Sequence, residues 1–273
     1  MSGTLVIGCG GSGSKAVSAL KSEGMPCLVI NWGNDPDIDI SEAVPEGSDR
    51  LNADTVSAAL EASRDRIIGA MEGYSDIILV VSPGGFVSNA SMGFISGCAR
   101  SLGARLVMFL TLPFGFESER REAVLKTLPG YVDLADRLII SDLQYSKELI
   151  GVQVGMAVDL VDALTRVSIR ILSNILGSIP FFSTFESKTY SFSRGYSDDI
   201  LKSYNEASAN PRFSPDLVGS KTVICTDAPM DDASAEALVS YVTNETGKVP
   251  ELIQGKGEGK GVTVFVPISL RTE

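Results

Sequence analysis

Through the first 140 residues, apolar runs of strand length alternate with stretches of helical period. The runs are TLVIG (4–8), PCLVIN (26–31), DIILVVS (76–82), RLVMFLTLP (105–113) and RLIIS (137–141). Helices are predicted between them at about 12–23, 53–72, 90–102 and 118–127. These strands are apolar at nearly every position, whereas a sheet with one wet face alternates apolar and polar residues. Strands of this kind need cover on both faces. The pattern therefore predicts an α/β fold, a parallel sheet with helices on both sides.

Beyond residue 150 the texture changes. A helical pattern of unusual length, about 155–177, carries Val158, Val161, Leu164, Ile169 and Leu172 at helical spacing. After Pro180, FFSTFESKTYSFSRG alternates polar with apolar residues, as a half-buried strand does. A helix (198–208), a strand (TVICT, 222–226), a helix (233–245) and two strands (249–254 and 262–269) follow. KGEGKG (256–261), between the last two strands, reads as a flexible, exposed hairpin connection. The expected organisation is a nucleotide-binding α/β domain over 1–178, which includes the long central helix, and a smaller, reduced α+β C-terminal domain over 179–273.

Composition removes several classes of function. The chain has 273 residues, a net charge of −11 and no histidine. Without histidine, Ser-His-Asp and Cys-His catalysis and histidine metal sites are excluded. The acidic balance argues against a nucleic-acid partner. No run is long and apolar enough for direct membrane insertion and no signal segment is visible, so a cytoplasmic location is expected. Cys9, Cys27, Cys98 and Cys225 form no CxxC pair and read as reduced structural residues. Cys9 alone lies in a glycine turn, where a small structural residue competes with a reactive thiol. No metal-ligand cluster is apparent in the sequence.

That turn, LVIGCGGSGSKAV (5–17), joins the first strand to the first helix. Glycines at such a junction let backbone N–H groups approach an anion, and the helix N-terminus adds partial positive charge. Tight strand-to-helix turns also need glycine for purely structural reasons. The spacing fits the dinucleotide pattern G-x-G-x-x-G, but that class needs an acid at the end of the second strand. Here the second strand ends in Asn31-Trp32-Gly33, and Asp35 comes four residues late. A Walker P-loop is excluded, because Lys15 breaks its spacing. Trp32 reads either as a packing residue or as a stacking surface for a base.

Several further motifs carry a resemblance that covers most of the chain. GCGGSGSKAV resembles the first phosphate loop of the tubulin/FtsZ superfamily of GTP-binding, filament-forming proteins, with Ser14-Lys15 in place of the usual Gly-Asn. DIILVVSPGGFVSNASM (76–92) occupies the place of that family's glycine-rich signature. TLPFGFESERR (111–121) matches its K-P-F-x-F-E-G-x-x-R segment, and AVDLVDALTRVSIRIL (157–172) resembles its central helix. The resemblance implies nucleotide contacts from Gly8, Gly10, Gly11, Ser12 and Gly13 in the first turn and from Asn31 after the second strand. It further implies contacts from Ser82, Gly84, Gly85 and Ser88 in the second loop, from Pro113, Glu117 and Arg121, and from Asp162 reading the guanine. Glu117 and Arg121, at i and i+4, also fit a simple surface helix pair. An acid among Val158 and Val161 is costly unless paired or facing a ligand.

Departures from the family pattern are concentrated where the last phosphate is held and cleaved. Phe86, Val87 and Asn89 stand at expected glycines, and a β-branched valine does not readily adopt positive φ. The acidic loop that a neighbouring subunit presents in the family is reduced here to Glu186, which also fits a solvated strand residue. The resemblance thus implies binding of GTP or GDP, with or without magnesium, and self-association into a dimer or a head-to-tail protofilament. It implies weak or absent hydrolysis. A nucleotide-free pseudo-GTPase scaffold and an NAD(P)-dependent Rossmann enzyme are the competing readings.

Overall fold

The computed structural model of the chain describes residues 3–44, 51–142, 144, 154–178, 181–197, 199–208 and 221–270. Ten strands form one sheet: β1 (Thr4–Cys9), β2 (Cys27–Asn31), β3 (Ile38–Asp39), β4 (Asp76–Val81), β5 (Arg105–Leu112), β6 (Arg137–Asp142), β7 (Thr189–Tyr196), β8 (Val223–Thr226), β9 (Glu251–Gln254) and β10 (Gly261–Pro267). Their order is β3-β2-β1-β4-β5-β6-β7-β10-β8-β9. Neighbours run parallel throughout, except for the two antiparallel pairings of β10 with β7 and β8. The helices of eight residues or more are α1 (Gly10–Ser22), α2 (Ala53–Ala62), α3 (Arg64–Met71), α4 (Phe86–Leu102), α5 (Ser118–Thr127), the long α6 (Val154–Ser178), α7 (Ile200–Ser208) and α8 (Asp232–Thr246).

The near-continuous apolar strands have the double cover that their composition demands. Along β1, Leu5, Ile7 and Cys9 face a core built with Val56 and Leu60 of α2, Ile67 of α3 and Ile95 of α4. Val6 faces the other way, onto Val17 and Leu20 of α1 and Ile169 and Leu172 of α6. Strand periodicity of two sends alternate side chains to opposite layers. Each fully buried aliphatic side chain contributes about 1.5–3 kcal/mol. The same logic holds in β8, where Val223 and Cys225 face the α6 side and Ile224 joins Tyr204, Leu238 and Val242 beneath α7 and α8.

Aromatic contacts tie the two halves of the sheet together. Phe109 of β5 meets Phe192 of β7 edge-on at 5.6 Å between ring centroids. Phe265 of β10 contacts Phe192 at 5.3 Å and Phe185 at 5.2 Å. Such pairs add about 0.5–1.5 kcal/mol each beyond their buried area.

Three sequence expectations are corrected. The single helix expected over 53–72 is two helices, parted at Ser63, whose backbone leaves the helical region (φ −92°, ψ 3°). The helix expected from about Ala90 begins at Phe86. Finally, the segment before β10 is no hairpin turn. β8 lies between β9 and β10 in the sheet, so the connection crosses over β8. It is also wound tightly around Asp227. Gly257 donates its N–H to the Asp227 carbonyl at 2.9 Å, and Gly261 donates to the Asp227 carboxylate at 3.1 Å. That carboxylate pairs with the buried Arg194 guanidinium, which also donates to Thr263 Oγ1 at 2.6 Å.

Candidate functional site

In this sheet the order reverses between β1 and β4: β2 and β3 continue to one side, β4 to β6 to the other. An open parallel sheet leaves a crevice beyond the strand C-termini at such a switch point, and ligands bind there. A cavity of about 280 Å³ lies at that place, lined by Gly10 and Gly11 of α1, Asn31, Trp32 and Asn34 after β2, Leu51, and Gly85 to Ser88 at the start of α4.

Two helices begin at the cavity, and both begin bare. α1 follows Cys9 and α4 follows Gly85, neither start has a side-chain cap, and neither first turn holds an acid. Four other helix starts carry a cap or an acid. Asn52 accepts from Thr55 N–H at α2, Asp231 accepts from Ser234 N–H at α8, and α3 and α5 carry Asp65 and Glu119 in their first turns. Uncapped N–H groups and the helix dipole together make an anion site. Each favourable contact of a negative group with a helix N-terminus contributes about 0.3–1 kcal/mol, and up to about 2 when partly buried.

The turn needs its glycines for different reasons. Gly10 has φ +70°, which starts α1 directly off the strand. A Cβ on Gly8 would run into the Gly13 carbonyl, and one on Gly13 into the Val80 carbonyl, so this pair lets α1 lie against β1 and β4. Gly11 has open space in front of it. Ser12 is exposed on the first turn of α1. Cys9 is fully buried, and burial pushes its thiol up to about 12, which favours the structural over the reactive-thiol reading.

The opposite wall is held by a carboxylate. Gly33, Asn34 and Asp35 all have positive φ, at 67°, 66° and 54°. Asp39 fixes this loop by accepting from Gly33 N–H and from Ser41 N–H, each at 2.9 Å. Two successive non-glycine residues in the left-handed region cost about 1–3 kcal/mol each, and such strain concentrates at binding sites.

No family model matches the chain. Over 149 residues it is 28% identical to the cell division protein FtsZ of Haloferax mediterranei, a match that spans 50% of this chain and 39% of that relative's length. Its fold matches the empty FtsZ dimer of M. jannaschii with a TM-score of 0.78, at 17% identity over 97% of this chain and 87% of that one. It matches CetZ of Methanosaeta thermophila at 0.76, with 17% identity over 98% and 87% of the two chains. The GTPgS-bound CetZ2 protofilament of Haloferax volcanii matches at 0.71, with 17% identity over 99% and 94%. The chain has the tubulin/FtsZ fold.

Seen as a tubulin/FtsZ-type molecule, the cavity gathers part of the expected contact set: Gly10, Gly11, Asn31, Gly85 and Ser88. A second part lies beside it and is bound up internally. Ser82 donates to the Thr111 carbonyl at 3.0 Å, and Gly84, at φ +101°, lies under the Arg120 side chain. Arg120 reaches the Pro83 carbonyl from Nε at 3.2 Å and from a terminal nitrogen at 3.0 Å, and pairs with Glu117 at 2.7 Å. Glu117 therefore pairs with its i+3 neighbour. Arg121, expected as its partner at i+4, is buried and turns instead to Asp142, which takes two hydrogen bonds at 2.7 and 2.6 Å. It also donates to the Pro113 carbonyl.

Asp162 falls within α6, and its side chain lies outside the described residues. Glu186 is exposed and sits at the other end of the molecule. Thr189, which opens β7, pairs with Leu138 near the start of β6, so Glu186 precedes the N-terminal edge of the sheet. The cavity lies at the C-terminal edge. Sequence reasoning missed Asn34 and Leu51 in the cavity and Arg120 beside it, while Trp32 emerges as a cavity wall. Adjacent Arg120-Arg121 left the choice of partner for Glu117 open, since i+3 and i+4 both face it on a helix. Among the described residues no group of three or more His, Cys, Asp and Glu side chains is arranged to hold a metal ion, and no helix is long and apolar enough to cross a membrane.

Proposed function

We propose that the chain binds a guanine nucleotide with its phosphates between the starts of α1 and α4, and that copies associate head to tail with weak or absent hydrolysis. The observation that carries this reading is the convergence of two uncapped, acid-free helix N-termini on one cavity. The fold neighbours support it, since they include a GDP-bound CetZ1 monomer and a GTPgS-bound CetZ2 protofilament. Strand order alone does not, because β3-β2-β1-β4-β5-β6 is also the order of a dinucleotide-binding sheet. Against NAD(P), the second strand ends in Asn31, with no acid there for the ribose hydroxyls.

The reduction of the acidic loop to Glu186 supports weak or absent hydrolysis, and the placement of that residue supports hydrolysis only between copies. Glu186 lies across the sheet from its own cavity, so only a second copy can present it to a phosphate. None of the described cavity residues is a carboxylate, so magnesium would meet only neutral oxygens such as those of Asn31 and Ser88, and no step is assigned to it. We take residues 1–178 and 179–273 as the two domains, a division supported by the separate core under α7 and α8 although the sheet runs through both. A cytoplasmic role in filament or division assembly completes the reading.

Calorimetric titration with GTP, GDP and NAD, followed by sedimentation with and without GTP, tests it. Guanine nucleotide affinity with GTP-dependent pelleting is the expected result, and NAD affinity without guanine nucleotide affinity overturns it. The scaffold reading has one observation of its own. Arg121, an expected nucleotide contact, is already committed to Asp142 and Pro113. Absence of all nucleotide binding would favour that reading.

A further inference from the structure

We infer that the site holds a nucleoside diphosphate in preference to the triphosphate, an inference that rests on the nucleotide reading above. The cavity has two unlike sides. One is the pair of helix starts, which together offer roughly one positive charge in partial charges. The other is apolar: the Trp32 indole, Leu51, Phe86 and Val87. Phe86 and Leu51 remain 49% and 42% exposed, so they form the rim. At about 280 Å³ the cavity lies just below the range usual for small-molecule sites, roughly 300–1,000 Å³. It has room for part of a nucleotide.

Each further phosphate adds negative charge without adding N–H donors to meet it. Charge pressed against an indole and alkyl groups loses water and gains no partner, which is costly. Among the described residues, the arginines beside this rim are already engaged. Arg120 is held by Glu117 and the Pro83 carbonyl, and Arg121 by Asp142. The Ser88 hydroxyl lies 3.5 Å from the Cys9 carbonyl, to which it donates across the turn. Phe86 and Val87 also explain the expected glycines they replace. They are ordinary first-turn residues of α4, so the helix starts early, with Val87 packed into the core and Phe86 standing exposed at the cavity.

The test is paired calorimetric titration of the whole chain with GDP and with the non-hydrolysable analogue GTPγS, repeated for Phe86→Ala. Trp32 fluorescence checks the fold of the variant. GDP is expected to bind about tenfold more tightly or better, and Phe86→Ala to narrow that ratio to about threefold. Equal or tighter binding of GTPγS overturns the preference and leaves the nucleotide reading standing. Binding of neither overturns both. A Phe86→Ala ratio unchanged from the parent removes the apolar rim as the cause.

Discussion

Two glycine-rich segments of this chain look alike in sequence and have been put to opposite uses. Residues 8–13 and 255–261 both alternate glycine with other small or polar residues. In the first, Gly8 and Gly13 give up their Cβ space to backbone, which brings α1 down onto the strands and leaves Gly11 facing open space. In the second, the loop closes on a charge of the protein itself. A Cβ on Gly259 or Gly261 would lie 2.6 Å from the Asp227 carboxylate, and one on Gly257 would lie 3.1 Å from the Asp227 carbonyl. Glycine content says only that backbone must come close to something. What it approaches decides whether the segment is a cradle for a ligand or a jacket around a side chain.

That contrast can be broken by substitution. Asp227→Ala should have the largest effect, about 3–5 kcal/mol of lost stability in urea unfolding, because it strands the buried Arg194 guanidinium. Gly13→Ala should follow at about 3 kcal/mol, since the new methyl meets the Val80 carbonyl rather than a movable side chain. Gly255→Ala, at 2.5 Å from the Thr226 carbonyl, should cost about 1–3 kcal/mol. An equal loss from Gly11→Ala would erase the distinction. Its expected stability change is below about 0.5 kcal/mol, while GDP affinity measured by calorimetry falls by about threefold or more.

The smallest effect concerns the cavity wall and pH. Burial alone would raise the Asp39 carboxyl, but hydrogen bonds from Gly33 N–H and from Ser41, with the Arg66 charge, bring it below its ordinary value. A depressed carboxyl contributes stability above the unfolded value of about 4, and loses it as pH falls through the folded one. Trp32 fluorescence should therefore report loosening of the 33–39 loop only below about pH 4, with no change between pH 6 and 8.

The fold was legible because the strands of the first half are apolar on both faces, a pattern few other architectures accept. Strand and helix positions followed from it to within a few residues, except where local chemistry intervened. Ser63 interrupts a good amphipathic pattern that continues on either side. Phe86-Val87 looked like damage to a loop and are the first turn of a helix. The hairpin error had a topological cause, since no local signal in 256–261 says that β8 lies between β9 and β10. The cavity lining was legible in its backbone part, Gly10, Gly11, Gly85 and Ser88, where residue type and backbone path are tightly linked. Its side-chain part was not. Whether Arg121 meets a ligand or Asp142 depends on a contact across 21 positions of sequence.

The run of parallel strands from β1 through β6 to β7 has a last consequence, in symmetry. The cavity and Glu186 lie at opposite edges of that sheet. A two-fold axis through either edge sets like against like, cavity on cavity or glutamate on glutamate. Only a repeated screw or translation sets one kind of edge on the other, and such a heterologous contact does not close on itself unless the rotation happens to form a ring. An open row built this way always ends in one uncovered cavity and one unused glutamate, so its two tips are chemically different objects.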